Sequence, residues 1–100
     1  MNELIRQAQM MQKKMLRTQE EIGVKEVEAS VGGGMVSVKA NCKGEVLGIT
    51  IDPSVVDPKD VEMLQDLIMS AINEAIKKGK DRMQAEMAQI TGGMKVPGLF

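Results

Sequence analysis

Apolar residues recur through the first quarter of the chain at Leu4, Ala8, Met11, Met15 and Ile22, in steps of four and three, with Thr18 filling the missing step. That spacing places them on one stripe of a helix. No glycine or proline intervenes before Gly23, a residue suited to closing a helix. Beyond Gly23 the period drops to two. Val27, Ala29 and Val31 alternate with Glu26, Glu28 and Ser30. Val36, Val38, Ala40 and Cys42 alternate with Ser37, Lys39 and Asn41, and Leu47, Ile49 and Ile51 with Gly48 and Thr50. This pattern predicts three half-buried strands. The connections Gly32-Gly33-Gly34 and Lys43-Gly44 are too short to cross over, so the strands form an antiparallel meander.

Asp52-Pro53 ends the sheet, and Asp57-Pro58-Lys59-Asp60 opens a second helix, with Asp57 as N-cap and Pro58 in the first turn. Asp60 and Glu62 complement the dipole there. Val61, Leu64, Ile68, Ala71 and Ala75 form one apolar face, and Ile72, Ile76, Met83, Met87 and Ile90 a second that drifts around the helix. Thr91-Gly92-Gly93 stops it. From Pro58 to Ile90 such a helix runs roughly 50 Å, whereas a domain of this size is about 30–35 Å across. It must protrude or lie against a second subunit. The predicted fold is α+β, in the order α-β-β-β-α. A three-stranded antiparallel meander carries a long N-terminal helix and a long protruding C-terminal helix, and the assembly is expected to be dimeric. Residues 1–92 form a single domain, and 93–100 are expected to be a mobile tail.

Composition sharpens the expectation of association. The 100 residues include no Trp, no Tyr and one Phe, Phe100, while ten are Met. The core must come from aliphatic residues and adaptable methionines, and subunit contact would supply the missing buried area. Cys42 stands alone, so there is no intramolecular disulfide, consistent with a reducing compartment. No apolar run approaches 18 residues and no signal-peptide core opens the chain. A soluble, intracellular protein without membrane contact is expected.

Catalysis finds little support. His and Tyr are absent, which removes the commonest general base and a common acid. Cys42 lies on the apolar side of a strand and has no His to activate it, so it reads as a structural thiol. Asp52, Asp57, Asp60 and Glu62 lack the spacing, loop glycine and closing Glu of an EF-hand, and helix capping explains them better. Gly32-Gly33-Gly34 precedes a strand and lacks the Lys-Ser/Thr of a phosphate loop, so it reads as a hairpin turn. No catalytic residue, metal, cofactor or small-molecule substrate is expected.

The charged residues carry the functional signal. Net charge is −1, so any affinity for anions must arise from clustering. Residues 6–17 hold Arg6, Lys13, Lys14 and Arg17 with no acid. Residues 77–82 hold Lys77, Lys78, Lys80 and Arg82 against Asp81, while 52–66 hold five acids and one Lys. A near-neutral chain that separates its signs presents a local positive field. Without aromatic residues to stack unpaired bases, single-stranded nucleic acid is disfavoured. Lys-rich helix faces point instead to duplex phosphates, with little base reading.

Several segments resemble the YbaB/EbfC family of bacterial nucleoid-associated proteins. They are Gln7-Ala8-Gln9-Met10-Met11-Gln12-Lys13-Lys14-Met15 with Gln19-Glu20-Glu21-Ile22, Gly34-Met35-Val36-Ser37-Val38, and Ile51-Asp52-Pro53. Further along are Glu62-Met63-Leu64-Gln65-Asp66-Leu67-Ile68 with Ala71-Ile72-Asn73-Glu74-Ala75, and Gly92-Gly93-Met94 with Pro97-Gly98. No single motif is diagnostic, but five in this order are specific. The family pattern also accounts for Glu20, Glu21, Asn73 and Glu74, which periodicity leaves unexplained. The resemblance implies a homodimer with tweezer-like protruding helices. It also implies binding to DNA, which the charge pattern above reads as double-stranded DNA, together with a change in DNA conformation, a cytoplasmic nucleoid location and no catalytic activity. The basic positions carried over as DNA contacts are Lys13, Lys14 and Arg17 on the first helix and Lys77, Lys78, Lys80 and Arg82 on the last. The competing reading is a protein-interaction adaptor whose Met-rich helices dock a partner.

Overall fold

A computed structural model describes residues 2–91. The chain runs α1 (Asn2–Gly23), β1 (Glu26–Val31), β2 (Val36–Asn41), β3 (Val46–Ile51), a single 3-10 turn (Pro53–Val55) and α2 (Val61–Thr91). The three strands form an antiparallel sheet in the order β1-β2-β3. Gly32, Gly33 and Gly34, at φ 61°, 69° and 91°, join β1 to β2. Three consecutive left-handed residues are open only to glycine at low cost, and the turn leaves Val31 paired with Val36. The tail at 93–100 lies outside the described residues.

Ala29, Val36, Val38 and Ala40 on the sheet, Val55 in the 3-10 turn, and Ala71 and Ala75 on α2 are all buried in one core. Alanines at the helix–sheet contact bring α2 close to the strands, and Val27, Val31, Ile51, Leu64, Leu67, Ile68 and Ile72 pack around them. The helix lies mainly over β1 and β2. β3 is therefore left open, with Val46, Leu47 and Ile49 at 40%, 51% and 45% exposure. The even alternation expected in β3 is interrupted. A bulge opposite Lys39 and Ala40 pairs Gly48 with Lys39 and Val46 with Ala40, leaving Leu47 as the extra residue.

The second helix begins three residues later than its capping signals suggest. The Asp60 N–H donates to the Asp57 carbonyl (2.9 Å) and the Lys59 N–H to Asp57 Oδ1 (2.9 Å), so 57–60 close a separate turn. Asp60 then caps α2 by accepting from the Met63 N–H at 3.2 Å. Two aspartates three residues apart both suit a cap, and the turn takes the first. Asp52 caps the 3-10 turn through the Ser54 N–H at 2.9 Å, which holds its carboxyl below the ordinary value. Asn41, on the polar side of the strand pattern, is buried because its side chain organises the β2–β3 turn. Its Oδ1 accepts from the Lys43 and Glu45 N–H groups (3.0 Å each), and its Nδ2 donates to Glu45 Oε1 (2.9 Å).

Gly79 of α2 crosses that turn. A Cβ added there would lie 2.7 Å from the Asn41 carbonyl oxygen and 3.2 Å from Cys42 Cα. Gly23, at the end of α1, meets the Lys43 side chain of the same turn, and the Cys42 N–H donates to the Lys25 carbonyl at 3.1 Å. Here α1 arrives and α2 departs, so the two helices run antiparallel and pack together beyond the sheet. They form a two-helix arm in which Met15 and Met87 are buried. The molecule measures 68 × 20 × 17 Å, with a radius of gyration of 18.4 Å, where a compact chain of this length has about 13 Å.

Gly79→Ala tests the crossing. Alanine improves helix propensity by about 1 kcal/mol, but its methyl collides with backbone rather than with a movable side chain. Overpacking typically costs about 1–3 kcal/mol. The variant is expected to melt below wild type, by roughly 4–8 °C per net kcal/mol, in a thermal scan followed by circular dichroism.

Candidate nucleic-acid interface

The arm decides which charges share a surface. On α1 only Met15 and Gly23 are buried, with Thr18, Gln19 and Ile22 partly covered. These side chains mark the seam against α2. At about 100° per residue, Arg6, Lys13 and Arg17 fall within about 40° of one another, on the side opposite Met15. They form a stripe about 16 Å long, by helix rise, on the outward face. Lys14 sits on the neighbouring flank, about 100° from the seam. All four are exposed, and among the described residues none makes an ion pair.

The cations of α2 are arranged differently. Lys77 pairs with Asp81 at 2.9 Å, one turn on, and that carboxylate raises its pKa. Lys78 Nζ donates to the Glu28 carbonyl of β1, also at 2.9 Å. Lys80 and Arg82 are exposed, but by helix geometry they stand on opposite flanks of α2, about 160° apart. Neighbours in sequence thus divide between two sides of the helix, Lys77 with Lys80 and Lys78 with Arg82. The arm's concentrated positive surface is the α1 stripe, and Arg6 belongs to it. The signal for Arg6 is its spacing of seven from Lys13, two helical turns.

By helix rise, α2 extends about 18 Å beyond Gly79, whereas α1 is about 33 Å long. The first nine or so residues of α1 therefore run past Thr91, the last described residue of α2. At the other end of the molecule, Asp60, Glu62 and Asp66 line a shallow open concavity with Met63, Leu67 and Ser70. These three carboxylates stand at the sheet end of the rod, far from the α1 stripe, whose neighbouring acids are Glu3, Glu20 and Glu21 of the same helix. Among the described residues no three His, Cys, Asp or Glu side chains are grouped to hold a metal ion, and no helix is long and apolar enough to cross a membrane. Cys42 is a free, buried thiol.

Comparison with known proteins gives consistent results. The model of the YbaB/EbfC DNA-binding family matches residues 1–94. A nucleoid-associated protein of Alkaliphilus metalliredigens is 55% identical over 100 residues, covering all of this chain and 88% of the relative. One from Pelotomaculum thermopropionicum is 51% identical over 100 residues, covering all of this chain and 95% of the relative. Among solved structures, an uncharacterized protein of Helicobacter pylori, HP0035, superposes with a TM-score of 0.77 at 28% identity, over 92% of this chain and 97% of that one.

The stripe is separate from the core, which gives a simple expectation. Replacing Arg6, Lys13 and Arg17 together by Gln should leave the fold intact, because exposed substitutions away from caps and cores usually shift stability by no more than about 0.5 kcal/mol each. Urea unfolding should show an unchanged slope and a midpoint close to wild type.

Proposed function

The chain belongs to the YbaB/EbfC DNA-binding family, and from that premise we propose that it is a homodimeric, non-catalytic nucleoid protein. It grips duplex DNA through the outward face of α1, with little sequence preference, and changes the shape of the duplex. The observation that carries this reading is the stripe of Arg6, Lys13 and Arg17, with no acid between its ends in sequence and no ion pair among the described residues, on an arm that stands clear of the sheet. Lys14 supports it from the flank. Lys77, Lys78, Lys80 and Arg82 contribute less, since two of them are engaged and two diverge. Contacts from such cations to phosphates fix position on the duplex without reading sequence.

Dimerisation is supported by apolar surface that one protomer leaves uncovered. Lys78 reaches β1 from one flank of α2. The opposite flank, on the β3 side, carries exposed Val61 and Met69 beside half-buried Ile72. We place the dimer patch on these residues together with Val46, Leu47 and Ile49, which are exposed on the unpaired edge strand β3. A second copy on this patch would cover both and direct two arms at one duplex. Each arm would then gain from the effective concentration set by the other.

Two measurements test these statements. Sedimentation equilibrium at micromolar concentration should give a dimer. Ile49→Lys and Met69→Asp, at positions exposed in the protomer, should yield folded monomers; a stable wild-type monomer would remove the dimer from the proposal. Separately, titration of the chain onto unrelated duplexes at several salt concentrations should show affinity falling steeply with salt. The Arg6, Lys13 and Arg17 to Gln variant should bind every sequence more weakly. It should also flatten the log–log salt plot by roughly 0.9 for each phosphate that is no longer neutralised. Unchanged affinity and slope would favour a protein-docking role for the Met-rich helices.

A further inference from the structure

An uncharged side chain sits in the middle of the cationic stripe. Met10 lies on α1 within about 60° of Arg6, Lys13 and Arg17, one turn after Arg6 and just short of one turn before Lys13. It is 63% exposed, on the part of α1 that runs past Thr91, and it points away from the seam marked by Met15. Exposed apolar residues are ordinary on a protein surface, and Leu4, Ile5, Met11 and Leu16 of α1 are exposed as well. One flanked along the helix axis by cations on the same stripe is in a different position, because whatever the cations dock against is brought onto it.

Resting on the duplex-binding reading above, we propose that Met10 is a wedge that enters the minor groove and opens a base step. By helix rise Arg6 and Lys13 are about 10 Å apart along the axis. A helix lying across a minor groove about 6 Å wide can set one of them on each bordering phosphate strand, with Met10 over the floor between. The helix itself, about 10–12 Å in diameter, is too wide to enter that groove, so only a side chain reaches in. Met is long, unbranched and flexible, and it is among the residues that unstack base steps. It has no donor and only a weak sulfur acceptor, so it reads almost no base edge. The wedge therefore favours steps that open easily, TA and CA/TG, over stiff A-tracts. This joins sequence-tolerant affinity to a defined change of duplex shape within one helix face.

The experiment uses the full chain on a duplex of about 30 base pairs carrying a fluorophore at each end, one version with a central TA step and one with a central A-tract. Bending is read as energy transfer at saturating protein. Wild type is expected to bend the TA duplex by roughly 20–90° and the A-tract duplex less. Met10→Ala should bind with the same salt slope but leave the duplex nearly straight, and Met10→Leu should retain the bend. Melting curves of both variants should match wild type, since the position is exposed. Bending by Met10→Ala equal to wild type overturns the wedge, as does equal loss in Met10→Ala and Met10→Leu, or wild-type binding without bending. Each of those outcomes leaves duplex binding standing. Failure of wild type to bind duplex at all overturns both readings.

Discussion

The structure depends on one close crossing. At Gly79 the long helix lies directly on the backbone of Asn41 and Cys42, with no room for a Cβ. Ahead of that point α2 is held by the sheet through Ala71 and Ala75. Beyond it, the same uninterrupted helix leaves the sheet and pairs with α1. Glycine inside a helix usually weakens it. Here the close approach it permits joins the sheet-bound half of the helix to the projecting half, so the arm takes its direction from the core. The turn it rests on is braced in its own right: the Asn41 side chain fills the loop and leaves none of its polar atoms unpaired.

That arrangement solves an electrostatic problem. A chain with 13 basic and 14 acidic residues has no attraction for a polyanion as a whole. Projecting the cations of α1 away from Asp60, Glu62 and Asp66 removes them from the field of those three, because screening at physiological salt acts over about 8 Å, and leaves Glu3, Glu20 and Glu21 at the ends of α1 as its neighbouring acids. The arm also keeps the cations on the side opposite the seam. Packing against α2 covers the apolar stripe at Met15 and Ile22, leaves Leu4, Ala8 and Met11 exposed, and turns the charged stripe outward, so one amphipathic pattern sets both the seam of the arm and its cationic face.

Much of this was legible in the residue pattern. The steps of four and three from Leu4 to Ile22 located α1, and the alternation from Val27 to Ile51 located three strands and the turns between them. Within the described residues, the less legible features share a cause: they depend on groups brought together only by folding. Asp57 and Asp60 are equally good caps until the turn between them is built. Lys77 and Lys78 look like part of a cluster until Asp81 and the Glu28 carbonyl engage them. The β3 bulge displaces Leu47 although its alternation is regular. Asn41 carries a polar side chain into a buried turn because the turn supplies its partners. The α1 stripe was legible because helix geometry alone decides it.

The elongated outline also bears on how the particle moves through water. A body 68 Å long and 20 × 17 Å in section meets more drag than a sphere of equal mass. It tumbles slowly about its short axes and passes through a porous matrix as though it were larger. A single copy can therefore elute where a globular pair would. Retention volume confuses length with copy number in this protein, and mass must come from methods blind to shape, such as light scattering.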